Sequence, residues 1–343
     1  MALKYRVQTL TDEDTNITEP DGTDSGEFSL ADASETRIGL VSDALHGQRI
    51  DKAVVAVAPE FSRSYLQTLI EKGHVQLEGR VEQTASRKVL AGQRLTIELV
   101  PTPESLAFRA EAMALNVVFE DAHLMVLNKP VGLVVHPAAG HWSGTLLNGL
   151  LAHHAGASAL PRAGIVHRLD KNTSGLMVVG KTLVAVTALV RAIAARTVHR
   201  QYLAIAHGPV ASKRMEIDAP VGRDPQSRVR MAVHHAGKPA RTDVDLILRT
   251  ADFSGVRCTL HTGRTHQIRV HMAGQGHPLV GDSLYGGRPA LGMQRQALHA
   301  TRLSFAHPCV DQALAFEVEP PEDFAAAWAE LRACSQVGTR WLQ

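Results

Sequence analysis

The chain has 343 residues, 45% apolar and 20% charged, enough for about two globular domains with sizeable cores. Its three cysteines, Cys258, Cys309 and Cys334, are too few and too scattered for a disulfide framework or a thiolate zinc site, which fits a reducing cytoplasm. No signal peptide opens the chain, and the longest apolar run, Gly175 to Val190, is broken by Lys181 and is shorter than the roughly 20 residues of a spanning helix. A soluble protein without a membrane partner is expected.

Net charge is +2, unevenly distributed. Residues 1–37 hold nine acids against three bases, a net of −6, and the remainder carries 33 bases against 25 acids, a net of +8. Residues 1–36, acidic and rich in Ser, Thr, Asp and Gly, cannot bury enough apolar surface to offset the entropy of ordering them and are expected to be disordered. The basic remainder permits a polyanionic partner.

Ile50, Ala53, Val54 and Val57 fall at helical spacing before Pro59. Ser62 then stands as an N-cap for a second helix with Leu66, Leu69 and Ile70 on one face and Gly73 as its stop. Strand-like runs follow at His74 to Leu77 and Arg94 to Val100. Residues 37–100 thus predict a small αα-plus-hairpin module exposing Arg49, Lys52, Arg63 and Lys72.

Residues 101–112 read as a linker. Beyond them lie strand candidates at Val117 to Glu120, Leu124 to Leu127, Leu133 to His136, Leu176 to Val179, Tyr202 to Ala206, Val256 to His261 and Gln267 to His271. Helices are predicted at Leu183 to Arg196 and Phe324 to Cys334. Strands that outnumber helices without alternating with them predict an α+β domain over 113–335. Its expected form is a mixed, largely antiparallel sheet flanked by helices around a central cleft, followed by a tail at 336–343.

Three patterns could carry chemistry. Gly175 to Thr182, GLMVVGKT, satisfies the phosphate-binding expression G-x-x-x-x-G-K-[ST]. A working loop of that kind follows a strand and has small or polar variable positions, whereas here a charged turn precedes Gly175 and the variable residues are Leu176, Met177, Val178 and Val179. No nucleotide cofactor is expected. His261, His266 and His271 recur every five residues; on a strand that odd step turns His266 away from the other two, so no shared metal is expected. A strand at Gln267 to His271 would aim Arg269 at one face of the sheet, where it needs an anionic partner.

Asp170, in GIVHRLDKNTSG, is the candidate partner because it sits in a polar turn able to project into a cleft. Its alternatives are an Asx-type cap of that turn, or a carboxylate held ionised by an arginine and available as nucleophile or base.

RAGIVHRLDKNTSGLMVVGKT, YLAIAHG at 202–208, LHTGRTHQIRVHMAGQGHPLVGDSLYGG and RQALHATRLSFAHP closely resemble the signature segments of the RluA family of pseudouridine synthases. NKPVGLVVHPAAG resembles the segment opening that catalytic domain, and RIDKAVVAVAPEFSRSYLQTLIEKGHVQLEGR resembles an S4 RNA-binding module. The arrangement, with AVHHAGKPA at 232–240, is most similar to members of the RluD type, which modify a stem-loop of 23S, large-subunit ribosomal RNA. The resemblance implies a cofactor-free isomerase acting on ribosomal RNA or a pre-ribosomal particle, expected as a monomer. It implies Asp170 as the catalytic aspartate, Arg269 as its partner, and Tyr202 as a platform stacking on the uracil and helping remove the C5 proton. Arg168 would enter the RNA as the base flips out, with His167, Thr173, Arg200 and Arg264 as further RNA contacts and Arg49, Lys52, Arg63, Ser64 and Lys72 contacting phosphates. The competing functions are an RNA-binding ribosome assembly factor that has lost catalysis, and a family member acting on another rRNA or tRNA uridine.

Overall fold

A computed structural model of the chain describes residues 35–100, 107–138, 140–227 and 229–338. They fall into two compact units that part between Ala107 and Phe108. Most of the predicted leader and residues 101–106 of the linker lie outside the described residues.

In the N-terminal unit, α1 (Ile50–Val57) and α2 (Arg63–Glu71) pack on a four-stranded antiparallel sheet. Its strands are β1 (Glu35–Leu40), β2 (Val75–Leu77), β3 (Arg80–Val81) and β4 (Arg94–Leu99), in the order β1-β4-β2-β3. Ser62 accepts a hydrogen bond from the Tyr65 amide and so caps α2 as expected, while Leu66, Leu69 and Ile70 are buried. The boundary expected after residue 36 falls inside β1, which begins at Glu35.

The second unit is built on a nine-stranded sheet ordered β5-β6-β7-β14-β8-β13-β12-β9, with β15 also paired to β14. The strands are β5 (Val117–Glu120), β6 (Leu124–Lys129), β7 (Ser174–Gly180), β8 (His199–His207), β9 (Arg214–Asp218), β12 (Arg241–Arg249), β13 (Phe253–Leu260), β14 (Leu298–Ala306) and β15 (Ala313–Glu317). A separate hairpin joins β10 (Val221–Arg223) to β11 (Met231–Val233). Pairing in the large sheet is antiparallel except between β7 and β14, so the mixed, largely antiparallel α+β architecture stands.

Alternation along the strands divides the core. Met125, Leu127, Met177, Val179 and Tyr202 share one cluster with α3 (Leu146–His153) and α5 (Gln267–Gly274). Leu124, Val126, Leu176 and Val178 pack on the opposite face with Leu189 of α4 (Leu183–Ala194), and Ile205 meets α6 (Glu322–Gly338) through Phe324 and Trp328.

Several expectations fail for identifiable reasons. Gln267 to His271 is a helix, not a strand: every residue from Gln267 to Met272 is buried, so no polar stripe reports the helical period. Tertiary bonds fix it, because the Gln267 carboxamide accepts from Thr262 Oγ1 and the Arg264 amide and donates to Arg241 O and Thr242 Oγ1. The strand-parity argument about His261, His266 and His271 therefore does not apply. α3 was hidden in the same way, as a short apolar run, LLNGLLAH, whose Gly149 admits Met113 at close range. Leu133 to His136 forms irregular turns, and the last helix runs through Gly338 into the expected tail.

GLMVVGKT holds no phosphate loop. Its first six residues complete β7, all seven of whose residues are buried. Gly175 pairs with Ala300 in the parallel ladder at φ +113°, and a Cβ there would collide with the Ala300 main chain. Gly175→Ala should therefore cost on the order of 2 kcal/mol or more, read from the denaturation midpoint; an unshifted midpoint would show that this close approach is not needed.

Candidate active site

Asp170, Tyr202 and Arg269 come from three distant parts of the chain and line one cavity of about 590 Å³. Arg269 Nη1 donates to Asp170 Oδ2 at 3.0 Å. The turn carrying Asp170 closes through its backbone, with the Thr173 amide donating to the Asp170 carbonyl, so the carboxylate is not needed as a turn cap. Two buried cations hold the next two carbonyls: Lys129 Nζ donates to Lys171 O, Pro130 O and Leu133 O, and Arg295 Nη1 donates to Asn172 O. Burial pushes the Lys129 ammonium down to about 7, against the opposing charge of Asp170.

Arg269 is 6% exposed. Burial alone would lower its pKa, but hydrogen bonding to Asp282 and the charges of Asp170 and Asp282 raise it, so the guanidinium stays charged. Its Nε and Nη2 donate to Asp282 Oδ2 and Oδ1 at 2.7 and 2.8 Å, and the ring of Tyr285 lies 5.0 Å from its carbon.

His266, the left-handed residue before α5 at φ +57°, places Nε2 3.8 Å from Asp170 Oδ1. Its Nδ1 lies 2.8 Å from the Tyr285 hydroxyl, which accepts from the Met231 amide and is thereby free to donate to that nitrogen. Non-glycine strain beside reacting groups is a common mark of a functional site.

Tyr202, 4% exposed on β8, shares its strand face with Arg200. Burial raises the phenol pKa, so Tyr202 presents a protonated hydroxyl at neutral pH and is a poor base as it stands. Arg168, Arg200 and Arg264 also line the cavity, together with Arg162 and Arg196, so its wall is cationic around Asp170. Arg264 Nε donates to Pro239 O. Thr173 lies at the cavity wall but is 2% exposed, with its hydroxyl accepting from Gln296.

His167 Nε2 accepts from the Val178 amide, which puts the ring proton on Nδ1. That Nδ1, His136 Nε2 and Arg200 Nε are buried without a protein partner, and all three residues line the cavity. Burial pushes His136 and His167 down to about 4 and about 3, so both are neutral at physiological pH. Among the described residues, no cluster of three or more His, Cys, Asp or Glu side chains could hold a metal, and no helix is long and apolar enough to cross a membrane.

Residues 123–274 match the RNA pseudouridylate synthase family, and residues 48–95 match the S4 domain. The ribosomal large subunit pseudouridine synthase D of Neisseria meningitidis serogroup B is 47% identical over 328 residues, covering 92% of this chain and 87% of that one. The chain belongs to the RNA pseudouridine synthases. The enzyme of the same name from Pasteurella multocida is 43% identical, covering 85% of this chain and 93% of its own. The solved structure of Human RNA Pseudouridylate Synthase Domain Containing 4 shares the fold, with TM-score 0.50 and 22% identity over 63% of this chain and 93% of that one.

The S4 domain of this pseudouridine synthase carries the five predicted contacts at its surface: Arg49, Lys52, Arg63, Ser64 and Lys72 are exposed. Arg49 and Arg63 are gathered by one buried acid that sequence reading passed over. Asp51, 1% exposed, accepts from Arg49 Nε at 3.2 Å, Arg63 Nη2 at 2.8 Å and Gln67 Nε2 at 3.0 Å. Burial would raise its pKa, but these three partners bring it down to about 2. Asp282, His266, Tyr285, Lys129 and His136 were also missed as site residues. One signal was available: Asp170 is the only acid between Asp121 and Glu216, and Asp282 the only one between Asp252 and Asp311.

A surface that gathers two arginines should report itself through salt. Replacing Arg49 and Arg63 together by alanine should weaken RNA binding and reduce the slope of log affinity against log salt by about 2; an unaltered slope would remove the pair from the interface.

Proposed function

We propose that this pseudouridine synthase converts uridine to pseudouridine in a stem-loop of large-subunit ribosomal RNA, with Asp170 as the catalytic carboxylate and Arg269 and Tyr202 as its partners. One observation carries the reading: a carboxylate held from one side by a buried arginine, at the wall of a cationic cavity that also contains a buried tyrosine. The ribosomal target rests on the relatives named for it.

The reaction moves the link to ribose from N1 of uracil to C5. The N1–C1′ bond breaks, the freed base turns while held, C5 joins C1′, and the C5 proton is lost as N1 gains one. A carboxylate beside the sugar can add to C1′ or take a proton from C2′, and both steps need its basic form. In a stem the base and sugar edge are covered, so the nucleotide is extruded at a cost of a few kcal/mol. Arg168, exposed beside the cavity, fills the vacated space, and the Tyr202 ring offers a stacking surface. The unpartnered His167 Nδ1–H and Arg200 Nε–H supply donors for the carbonyls of the base or the phosphate of its nucleotide. His136, Thr173 and Arg264 complete the RNA contacts within the cavity, and Arg49, Lys52, Arg63, Ser64 and Lys72 hold phosphates from the S4 domain without reading sequence.

Asp170→Asn keeps the side-chain shape and removes the base. Pseudouridine formation on an unmodified large-subunit ribosomal RNA transcript should fall below detection while RNA affinity stays within about threefold. Residual turnover would exclude Asp170 as the reacting group, and a wild-type protein that binds the transcript without modifying it would favour the assembly-factor function. Pseudouridine mapping of ribosomal RNA from cells lacking the protein identifies the uridine.

A further inference from the structure

The geometry points to Asp282 as a positioning residue that aims Arg269 at Asp170, an inference resting on the proposed role of Asp170. Arg269 has two edges available to anions, and it gives the better one away from the reacting carboxylate. The Nε and Nη2 pair makes two bonds to Asp282, at 2.7 and 2.8 Å, whereas Asp170 receives one bond from Nη1 at 3.0 Å. Asp282 is 2% exposed and does not line the cavity, so it cannot meet RNA there. A bidentate carboxylate pair fixes the plane of a guanidinium, and a single bond does not.

The turn bearing Asp282 is built to keep it still. Gly281, at φ +72°, lies so close to the Arg295 main chain that a Cβ would overlap it, and a Cβ on Gly287 would overlap Leu279 O. The Tyr285 and Gly287 amides both donate to the Asp282 carbonyl. Tyr285 in that turn lies against the Arg269 guanidinium and, through its hydroxyl, fixes the His266 ring whose Nε2 faces the second oxygen of Asp170. One short turn thus orients the neighbours of both Asp170 oxygens.

An arginine gripped on one edge by a carboxylate that takes no part in the chemistry offers Asp170 only its remaining corner. Without Asp282, the same guanidinium is free to rotate and grip Asp170 with two bonds, masking both of its oxygens. Asp282→Asn should therefore lower kcat by about 10 to 100-fold, the scale of a misplaced reacting group, while the KM for the RNA transcript changes less than about twofold.

The effect must pass through the guanidinium. In an Arg269→Lys background, where no planar fork exists to be aimed, Asp282→Asn should cost less than about threefold. Losses that multiply independently in the double variant, or an unchanged kcat in Asp282→Asn, would overturn the inference. Should Asp282→Asn not fold, Asp282→Ala with added formate decides: formate, but not chloride at equal ionic strength, should raise both the thermal midpoint and kcat. A higher midpoint without recovered kcat assigns Asp282 a structural role only and overturns the inference. Asp170→Asn measured in parallel separates the layers. Turnover there undoes the proposed role of Asp170, whereas an inactive Asp170→Asn beside normal Asp282 variants undoes only the role given to Asp282.

Discussion

Arg269 is the hinge of the catalytic unit. It is a buried, permanently charged group on a short buried helix, and it is tolerated only because two carboxylates converge on it from sequence positions 99 and 13 residues away. Removing one partner of such a group typically costs about 3 to 5 kcal/mol, because the remaining charge is left in a poorly solvating interior. Around this cation the α5 helix, the Asp170 turn and the 281–287 turn are brought to fixed positions. The ends of β7 and β14, which pair in parallel, lie beside the same turns.

The charges near the site are arranged in two layers. Lys129 lies beneath the Asp170 turn with its donors on main-chain carbonyls, and Arg295 gives Nε and Nη2 to the Asp323 carboxylate and Nη1 to carbonyls that include Asn172 O, which shapes the loop and leaves the cavity to other groups. Arg168, Arg200 and Arg264 face the cavity. Between the layers stands Asp170, the sole acid of the cavity wall among the described residues. Such a wall attracts anions at its rim and presents one negative group among the cations. The S4 domain repeats the device in simpler form, with buried Asp51 collecting two exposed arginines.

Where sequence reading succeeded, the chain declared its geometry locally. Ser62 capped α2, Leu66, Leu69 and Ile70 formed its buried stripe, and the strands from β5 to β8 appeared as bounded apolar runs. The Asp170–Arg269 pair was also legible, from the need of a buried guanidinium for an anion, although the wrong secondary structure was assigned to Arg269. QIRVHMAG has the alternation of a strand and the environment of a core helix; when every side is buried, the polar residues that would mark a helical period are absent.

By itself, the sequence determined the class of the fold, the S4 helices and the basic character of the folded body, because each depends on residue types and spacings within a short window, and it singled out the carboxylate and the arginine that the structure pairs. Only the tertiary structure decided that Arg269 sits on a helix, that Asp282 takes its bidentate edge, and that Gly175, in a strand already legible in sequence, lies against the Ala300 main chain. Those outcomes depend on which distant main chain or charge lies a few ångströms away, and burial makes the approach of that partner, not local propensity, the larger energy.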